Sequence, residues 1–251
     1  MSRAGLVKAG LLCCALALAL VATAAGSGAL VRVNGLILRA DGDVQPHALP
    51  RRQFAPIDFQ GHFDIAAQGG GQPAALEEAV IDFDRDGRLS AGGLPTCAAE
   101  RVANAGPVAA RQICPGAIVG SGRVEAQVAG ATTSSALTLF NGPLQEGNPT
   151  VVLHARFDAG GGQVLAIVVP IERRPGPFRY RATLDLPPIA AGLGTLTHVE
   201  VKIGRRFSSG GQRRSYVSAR CSDGILQTHG RFTFAEGTII DGAVEKACTP
   251  R

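Results

Sequence analysis

The sequence predicts a mainly β protein, either an antiparallel β-sandwich or an open barrel, with a short helical insert near residues 97–113. Apolar and polar residues alternate with a period of two in several segments, which is typical of strands that bury one face and expose the other. The 251 residues include 33 Gly and 15 Pro, enough for many turns. No succession of strands and long helices is found, so a parallel α/β fold is not expected.

The alternating segments predict the strands. Apolar side chains recur at every second position in four stretches of the chain: 57–65, 178–186, 199–203 and 231–234. The last stretch is followed by a turn at Glu236-Gly237 and a further strand over 238–244. Residues 164–169 are apolar without interruption, which predicts a central strand that is covered on both faces.

Residues 97–113 differ from this pattern because they are rich in Ala. Pro107 follows Gly106, and proline favours the first position of a helix. We therefore predict one or two short helical turns in this stretch. The rest of the chain, residues 25–251, is predicted to be a single secreted domain. If there are two lobes, the boundary falls at 141–150, where Gly-Pro and Asn-Pro dipeptides interrupt the chain.

The first residues have the organisation of a secretory signal peptide. Arg3 and Lys8 precede an apolar run, and Ala22-Thr23-Ala24 is a small-x-small cleavage site. We predict a signal peptide over 1–24 and a protein that is secreted or held in the cell envelope. The alternative is an uncleaved anchor, since the apolar stretch is only at the lower length limit of a membrane span. Contact with the membrane is expected only through this segment, if it is kept.

Four cysteines follow the signal segment, and they predict two disulfides in an oxidising compartment. Three pairings of Cys97, Cys114, Cys221 and Cys248 are conceivable. Proximity in sequence favours Cys97–Cys114 and Cys221–Cys248. A metal site would instead need ligand pairs at short spacing such as C-x-x-C, which this sequence lacks.

A calcium loop is suggested by Asp82, Asp84 and Asp86, which occupy the first, third and fifth positions of such a loop, with Gly87 at the sixth. The twelfth position is Gly93, where a bidentate Glu is required. The favoured interpretation is a strand over 80–84, with alternate residues inward, followed by a hairpin turn at Asp86-Gly87. We predict no cofactor, with calcium at the three Asp residues as the alternative.

Catalytic and nucleic-acid-binding functions have little support in the sequence. It contains no G-x-S-x-G, H-E-x-x-H or phosphate-binding Gly-rich motif. No catalytic or cofactor-binding residue is therefore predicted, and a non-catalytic protein is favoured over an enzyme. Trp is absent and only two Tyr occur, so platforms for stacking bases are lacking and no nucleic-acid partner is expected.

Several motifs together resemble a group of uncharacterised, secreted, β-rich actinobacterial proteins of unknown function. The resemblance spans most of the chain after the signal segment and is carried by residues 82–88, 93–97, 114–122, 204–206, 213–221 and 232–235. It implies export, and it implies that Cys97, Cys114 and Cys221 are framework positions. The group has no assigned activity, so no catalytic residue is carried over.

The sequence as a whole predicts an exported, disulfide-stabilised module of the cell envelope or the extracellular space. Its expected role is non-catalytic binding or structural, with an envelope or extracellular partner that the sequence does not identify. One alternative is a secreted hydrolase with an unrecognised site, because a triad can assemble from distant positions. The other is a surface module stabilised by calcium at Asp82, Asp84 and Asp86.

Overall fold

A computed structural model describes residues 28–159 and 162–251. The predicted signal peptide over 1–24 lies outside the described residues. The strands are β1 (Ala29–Val33), β2 (Leu36–Gln45), β3 (Ala48–Leu49), β4 (Ala55–Pro56), β5 (Asp58–Ala67), β6 (Leu76–Asp84), β7 (Gly87–Leu89), β8 (Ile118–Val128), β9 (Ala131–Gln145), β10 (Asn148–Phe157), β11 (Gln163–Arg173), β12 (Phe178–Asp185), β13 (Gly194–Ile203), β14 (Arg206–Ser209), β15 (Gln212–Ser215), β16 (Val217–Ala219), β17 (Ile225–Phe234), β18 (Ile239–Ala247) and β19 (Thr249–Pro250). Two helices, α1 (Ala99–Val102) and α2 (Pro107–Ile113), and three single 3₁₀ turns at Pro115–Ala117, Ala190–Gly192 and Ala235–Gly237 complete the secondary structure of these described residues.

Twelve strands form one antiparallel sheet that is nearly closed into a barrel, which confirms the prediction of a mainly β fold and selects its barrel form. The order across the sheet is β1-β2-β5-β13-β8-β9-β10-β11-β12-β6-β17-β18. The first and last strands do not share a hydrogen-bonded ladder, but β18 packs against both β1 and β2. We call this contact the seam. An ion pair between Lys246 Nζ and Asp41 Oδ1, 2.6 Å long, crosses it.

One end of the barrel is covered by the remaining strands and is called the capped end. There, β4, β16 and β7 form a three-stranded sheet, β14 pairs with β15, and β19 pairs with β3 in parallel. Tyr216, fully buried, packs with the side chains inside the barrel. Leu49 and Ile57 pack around the disulfide between Cys221 and Cys248.

The opposite end of the barrel is filled by large side chains. Phe157 and Phe234 are the last residues of β10 and β17, and neither is exposed at all. Leu36 and Leu76, at the first positions of β2 and β6, are also buried. Both ends are therefore closed by packed hydrophobic side chains.

The predicted helical insert is present and lies on the outside of the barrel. Pro107 is the first residue of α2, as expected from its fixed φ and missing amide proton. Val102 and Ala110 are fully buried against Phe140 and Val152, outward residues of β9 and β10. A disulfide joins the flanks of the insert, Cys97 and Cys114.

The uninterrupted apolar stretch predicted as a doubly covered strand is part of β11. Leu165 and Val169 are buried inside the barrel. On the outer face, Ala166 packs against the helical insert, but Val168 is 38% exposed. The outer face is therefore covered only where the insert reaches it. Residues 141–150, the conceivable lobe boundary, form the hairpin between β9 and β10, and both strands belong to the same sheet.

The hairpin predicted at Asp86-Gly87 is not formed, and that prediction is wrong. β6 ends at Asp84, but β7 pairs with β16 instead of folding back on β6. A two-residue type I′ turn needs positive φ at both central residues, and neither Asp86 nor Gly87 has it. Instead, the Asp86 amide donates a hydrogen bond to the Asp84 carboxylate at 2.8 Å, and the chain turns away from the barrel.

Candidate functional site

The barrel encloses an apolar cavity of about 250 Å³. Residues from every strand of the twelve-stranded sheet except β8 line it, and nearly all of them are Ala, Val, Leu, Ile, Phe or Gly. Two edge-to-face aromatic pairs connect facing walls: Phe59 with Phe83 at 6.1 Å between ring centroids, and Phe63 with Phe232 at 5.2 Å. This geometry is the favoured one for aromatic rings and helps to fix the width of the cavity.

The cavity exists because many strands surround a lining of small side chains. Barrel diameter grows with strand number, and about eight strands already leave an interior that side chains just fill. Twelve strands enclose more space. The inward positions Ala40, Ala79 and Ala182 contribute only a methyl group each. At Gly230, an added Cβ would lie 2.7 Å from the Phe232 ring, so this glycine is required by the ring that covers it.

The cavity reaches the seam. Ala29, Ala40 and Gly42 line it from one side of the seam, and Gly242 and Val244 line it from the other. The ion pair of Lys246 with Asp41 lies at the same place.

Electrostatics keep this ion pair intact at neutral pH. Burial by itself raises the pKa of Asp41, but hydrogen bonds from Lys246 and from the Gly42 amide outweigh it, so the pKa is lowered overall. The carboxylate therefore stays ionised opposite the ammonium group.

The three aspartates considered for calcium are engaged separately. Asp82 is 6% exposed and accepts two hydrogen bonds of 2.8 Å from the Arg181 guanidinium, which lowers its pKa. Asp84 accepts from the backbone amides of Asp86 and Gln227, and its burial raises its pKa against their opposing effect.

Asp86 is the most buried of the three, at 1% exposed. It accepts from Arg220 Nε at 2.7 Å and from the Ser222 amide at 2.8 Å. Burial opposes its ionisation, but the bonds from Ser222 and Arg220 outweigh burial and lower its pKa. Each of the three carboxylates thus has its own protein donors. Among the described residues, no group of three or more His, Cys, Asp or Glu side chains is arranged to hold a metal ion.

Two histidines bear on the hydrolase alternative. His198 Nδ1 lies 2.7 Å from Asp64 Oδ1, a His–carboxylate pair of the kind that catalytic triads contain. In the part of the chain that the structure describes, no Ser or Thr hydroxyl is hydrogen-bonded to this pair. His154 is fully buried beneath the helical insert, where its Nε2 is bonded to the Ala105 carbonyl and burial lowers its pKa.

Sequence reasoning missed the cavity as a candidate site. Its only signal is the recurrence of Ala and Gly at inward positions of otherwise apolar strands, for example Gly61, Ala79 and Ala182. In the sequence, such residues indicate weak strands rather than a binding site.

In residues 28–159 and 162–251, no helix combines the length and hydropathy needed to span a bilayer. Comparison with protein-family models, with curated proteins and with solved structures found no match to this chain.

Proposed function

We propose that this protein is an exported, non-catalytic binding module of the cell envelope or the extracellular space, which holds a small apolar molecule inside its barrel. The observation that carries the proposal is the cavity of about 250 Å³ with its hydrocarbon lining. Burial of apolar surface in such a space is favourable by roughly 25 cal/mol per Å². A polar ligand deep in the cavity would lose its hydrogen bonds to water without replacement.

The size of the cavity limits the ligand. An engineered apolar cavity of about 150 Å³ holds benzene, and pockets for drug-sized ligands begin at about 300 Å³. The cavity of this protein lies between these limits. It therefore suits a molecule larger than benzene, such as a bicyclic hydrocarbon or a short alkyl chain.

Export is supported by two observations. The N-terminal segment has the organisation of a signal peptide. The two disulfides, Cys97–Cys114 and Cys221–Cys248, are typical of an oxidising compartment.

A titration with the neutral fluorophore N-phenyl-1-naphthylamine tests the proposal. Its emission rises on transfer from water to an apolar site, and the chain has no Trp to interfere. We expect saturable binding to the exported chain. The double substitution Ala79→Leu/Ala182→Leu adds six carbons to the cavity lining and is expected to weaken binding at least tenfold.

The matched control is Ala243→Leu, the same chemical change on an exposed residue between two cavity-lining positions of β18. It is expected to bind the fluorophore as the unsubstituted protein does. Far-UV circular dichroism checks that all variants are folded. A flat titration of the unsubstituted protein, or equal binding by the cavity-filled and control variants, would overturn the proposal.

A further inference from the structure

The polar residues of the cavity lining are all found at or beside the seam. Asp41 lies on β2, which forms one side of the seam. His62 is its register partner on β5, and Thr228 is the register partner of Val244, which lies across the seam on β18. The other lining residues are hydrocarbon side chains or glycines. The few polar residues that border the cavity therefore lie on its seam side.

The seam is also the weakest part of the barrel wall. Each other pair of neighbouring strands in the twelve-stranded sheet is joined by a ladder of backbone hydrogen bonds. At the seam, β18 is held by side-chain packing and by the ion pair of Lys246 with Asp41. β18 can therefore separate from β1 and β2 without breaking a ladder of backbone hydrogen bonds. Both ends of the barrel, in contrast, are closed by fully buried residues such as Tyr216 and Phe234.

From these observations we infer that the ligand is a single-chain amphiphile that passes through the seam, with its apolar chain in the cavity and its polar head at Asp41 and Lys246. The inference rests on the proposed function. A head group left at the seam keeps its contact with water and avoids the cost of burying a polar group. The apolar chain lies among the aliphatic and Phe side chains of the interior.

The route is tested by closing the seam covalently. A Cβ built on Gly242 lies 3.5 Å from the Ala29 Cβ, within the roughly 3.5–4.5 Å that a disulfide requires. We expect Ala29→Cys/Gly242→Cys to form a disulfide. In the oxidised protein, exchange of N-phenyl-1-naphthylamine should slow at least tenfold, while Ala29→Ser/Gly242→Ser should exchange as the unsubstituted protein does.

Mild reduction should restore fast exchange, because a disulfide at the half-exposed seam is more accessible than the buried native pairs. The unsubstituted protein treated with the same reductant controls for damage to Cys97–Cys114 and Cys221–Cys248. Failure of the introduced thiols to join would contradict the close approach of β1 and β18. Unchanged exchange in the oxidised protein would overturn the seam as the route.

The position of the head group is tested with decanoate, decylammonium and 1-decanol as competitors of the fluorophore. Asp41→Asn removes one negative charge from the seam and keeps an oxygen to accept from the Gly42 amide. The affinity of this variant should rise about fivefold for decanoate, fall about fivefold for decylammonium and stay constant for 1-decanol. A change of this size is expected when the Asp41 carboxylate and a charged head group lie roughly 6 Å apart near water.

Asp43→Asn is the matched control, since Asp43 lies two residues further along β2 and does not line the cavity. It should leave all three affinities unchanged. Fluorophore binding with no charge-dependent response to Asp41→Asn would refute the assigned head position while the proposed function stands. Absence of fluorophore binding by the unsubstituted protein would overturn both.

Discussion

Replacement of Asp86 by Asn tests whether this carboxylate is a structural residue of the capped end. Its two oxygens accept from Arg220 Nε and from the Ser222 amide, and it is only 1% exposed. In Asp86→Asn, an NH₂ group replaces one of the two carboxylate oxygens. It then faces the N–H donor of Arg220 or of Ser222, so one hydrogen bond is lost. The negative charge opposite Arg220 is lost as well. The affected segment includes Cys221, so the change acts on the attachment of β16 and of the second disulfide.

The expected cost follows from the burial of the two partners. A hydrogen bond to a charged group contributes about 1.5–3 kcal/mol, and breaking a buried ion pair costs about 3–5 kcal/mol. The Arg220 side chain is 28% exposed, so water can hydrate part of the guanidinium once Asp86 is neutral. We therefore expect the free energy of unfolding to fall by about 2–3 kcal/mol.

Asp223→Asn provides the control on the same surface. Asp223 is 56% exposed and lies 3.3 Å from Arg85, and such exposed pairs contribute at most about 1 kcal/mol. Both variants are measured by urea unfolding at pH 7, followed by circular dichroism, with the disulfides intact. The structural role of Asp86 is refuted if Asp86→Asn costs no more than Asp223→Asn.

The same measurement, repeated with added calcium, separates the two interpretations of the Asp82, Asp84 and Asp86 spacing. If the three carboxylates serve protein donors only, calcium should leave the urea midpoint of the unsubstituted protein unchanged. The calcium alternative requires a rise in that midpoint, since a ligand that binds only the folded state stabilises it. It also requires Asp86→Asn to abolish this rise.

Two further predictions concern acid and the disulfides. The pKa of Asp82 is lower in the folded state than in the unfolded state, so the stabilisation that its carboxylate provides is present above about pH 4 and is lost as the pH falls. The Asp82→Asn variant should therefore lose less stability between pH 5 and pH 3 than the unsubstituted protein. Urea unfolding at the two pH values measures this difference. The disulfides span sequence separations of 17 and 27 residues, which correspond to about 3 and 3.5 kcal/mol of unfolded-state entropy. Cys97→Ser/Cys114→Ser and Cys221→Ser/Cys248→Ser should each lower the free energy of unfolding by about these amounts, and a loss below about 1 kcal/mol would contradict this account.

The positions of the strands and of the helical insert could be predicted from the sequence, because each depends on the residue pattern within its own segment. Period-two alternation predicts strands at what prove to be β5, β12, β13 and β17, and the turn at Glu236-Gly237 predicts that a further strand follows, which is β18. The Ala-rich stretch with Pro107 predicts the helical insert for an equally local reason. The order of the strands in the sheet depends on long-range packing, and the periodicity of the sequence does not encode this order. β13, for example, inserts between β5 and β8, far from both in sequence.

The cavity could not be predicted because it depends on the number of strands that close around it. Ala79 and Ala182 would be ordinary core residues in a narrow barrel, where large side chains from the opposite wall would fill the space beside them. In a sheet of twelve strands, the facing wall lies further away. The same alanines then line empty space. The candidate site is a property of the closed sheet and not of any single motif.

The aspartate spacing that suggests a calcium loop has the same origin as the cavity lining. Side chains of a β-strand alternate between its two faces, so residues two apart share a face. In β6, Ile81 and Phe83 point inward and line the cavity, which leaves Asp82 and Asp84 on the polar side. A calcium loop also places its first ligands two residues apart. The shared spacing cannot distinguish the two structures. The twelfth position does distinguish them, because a calcium loop requires a bidentate acid there and the chain has Gly93.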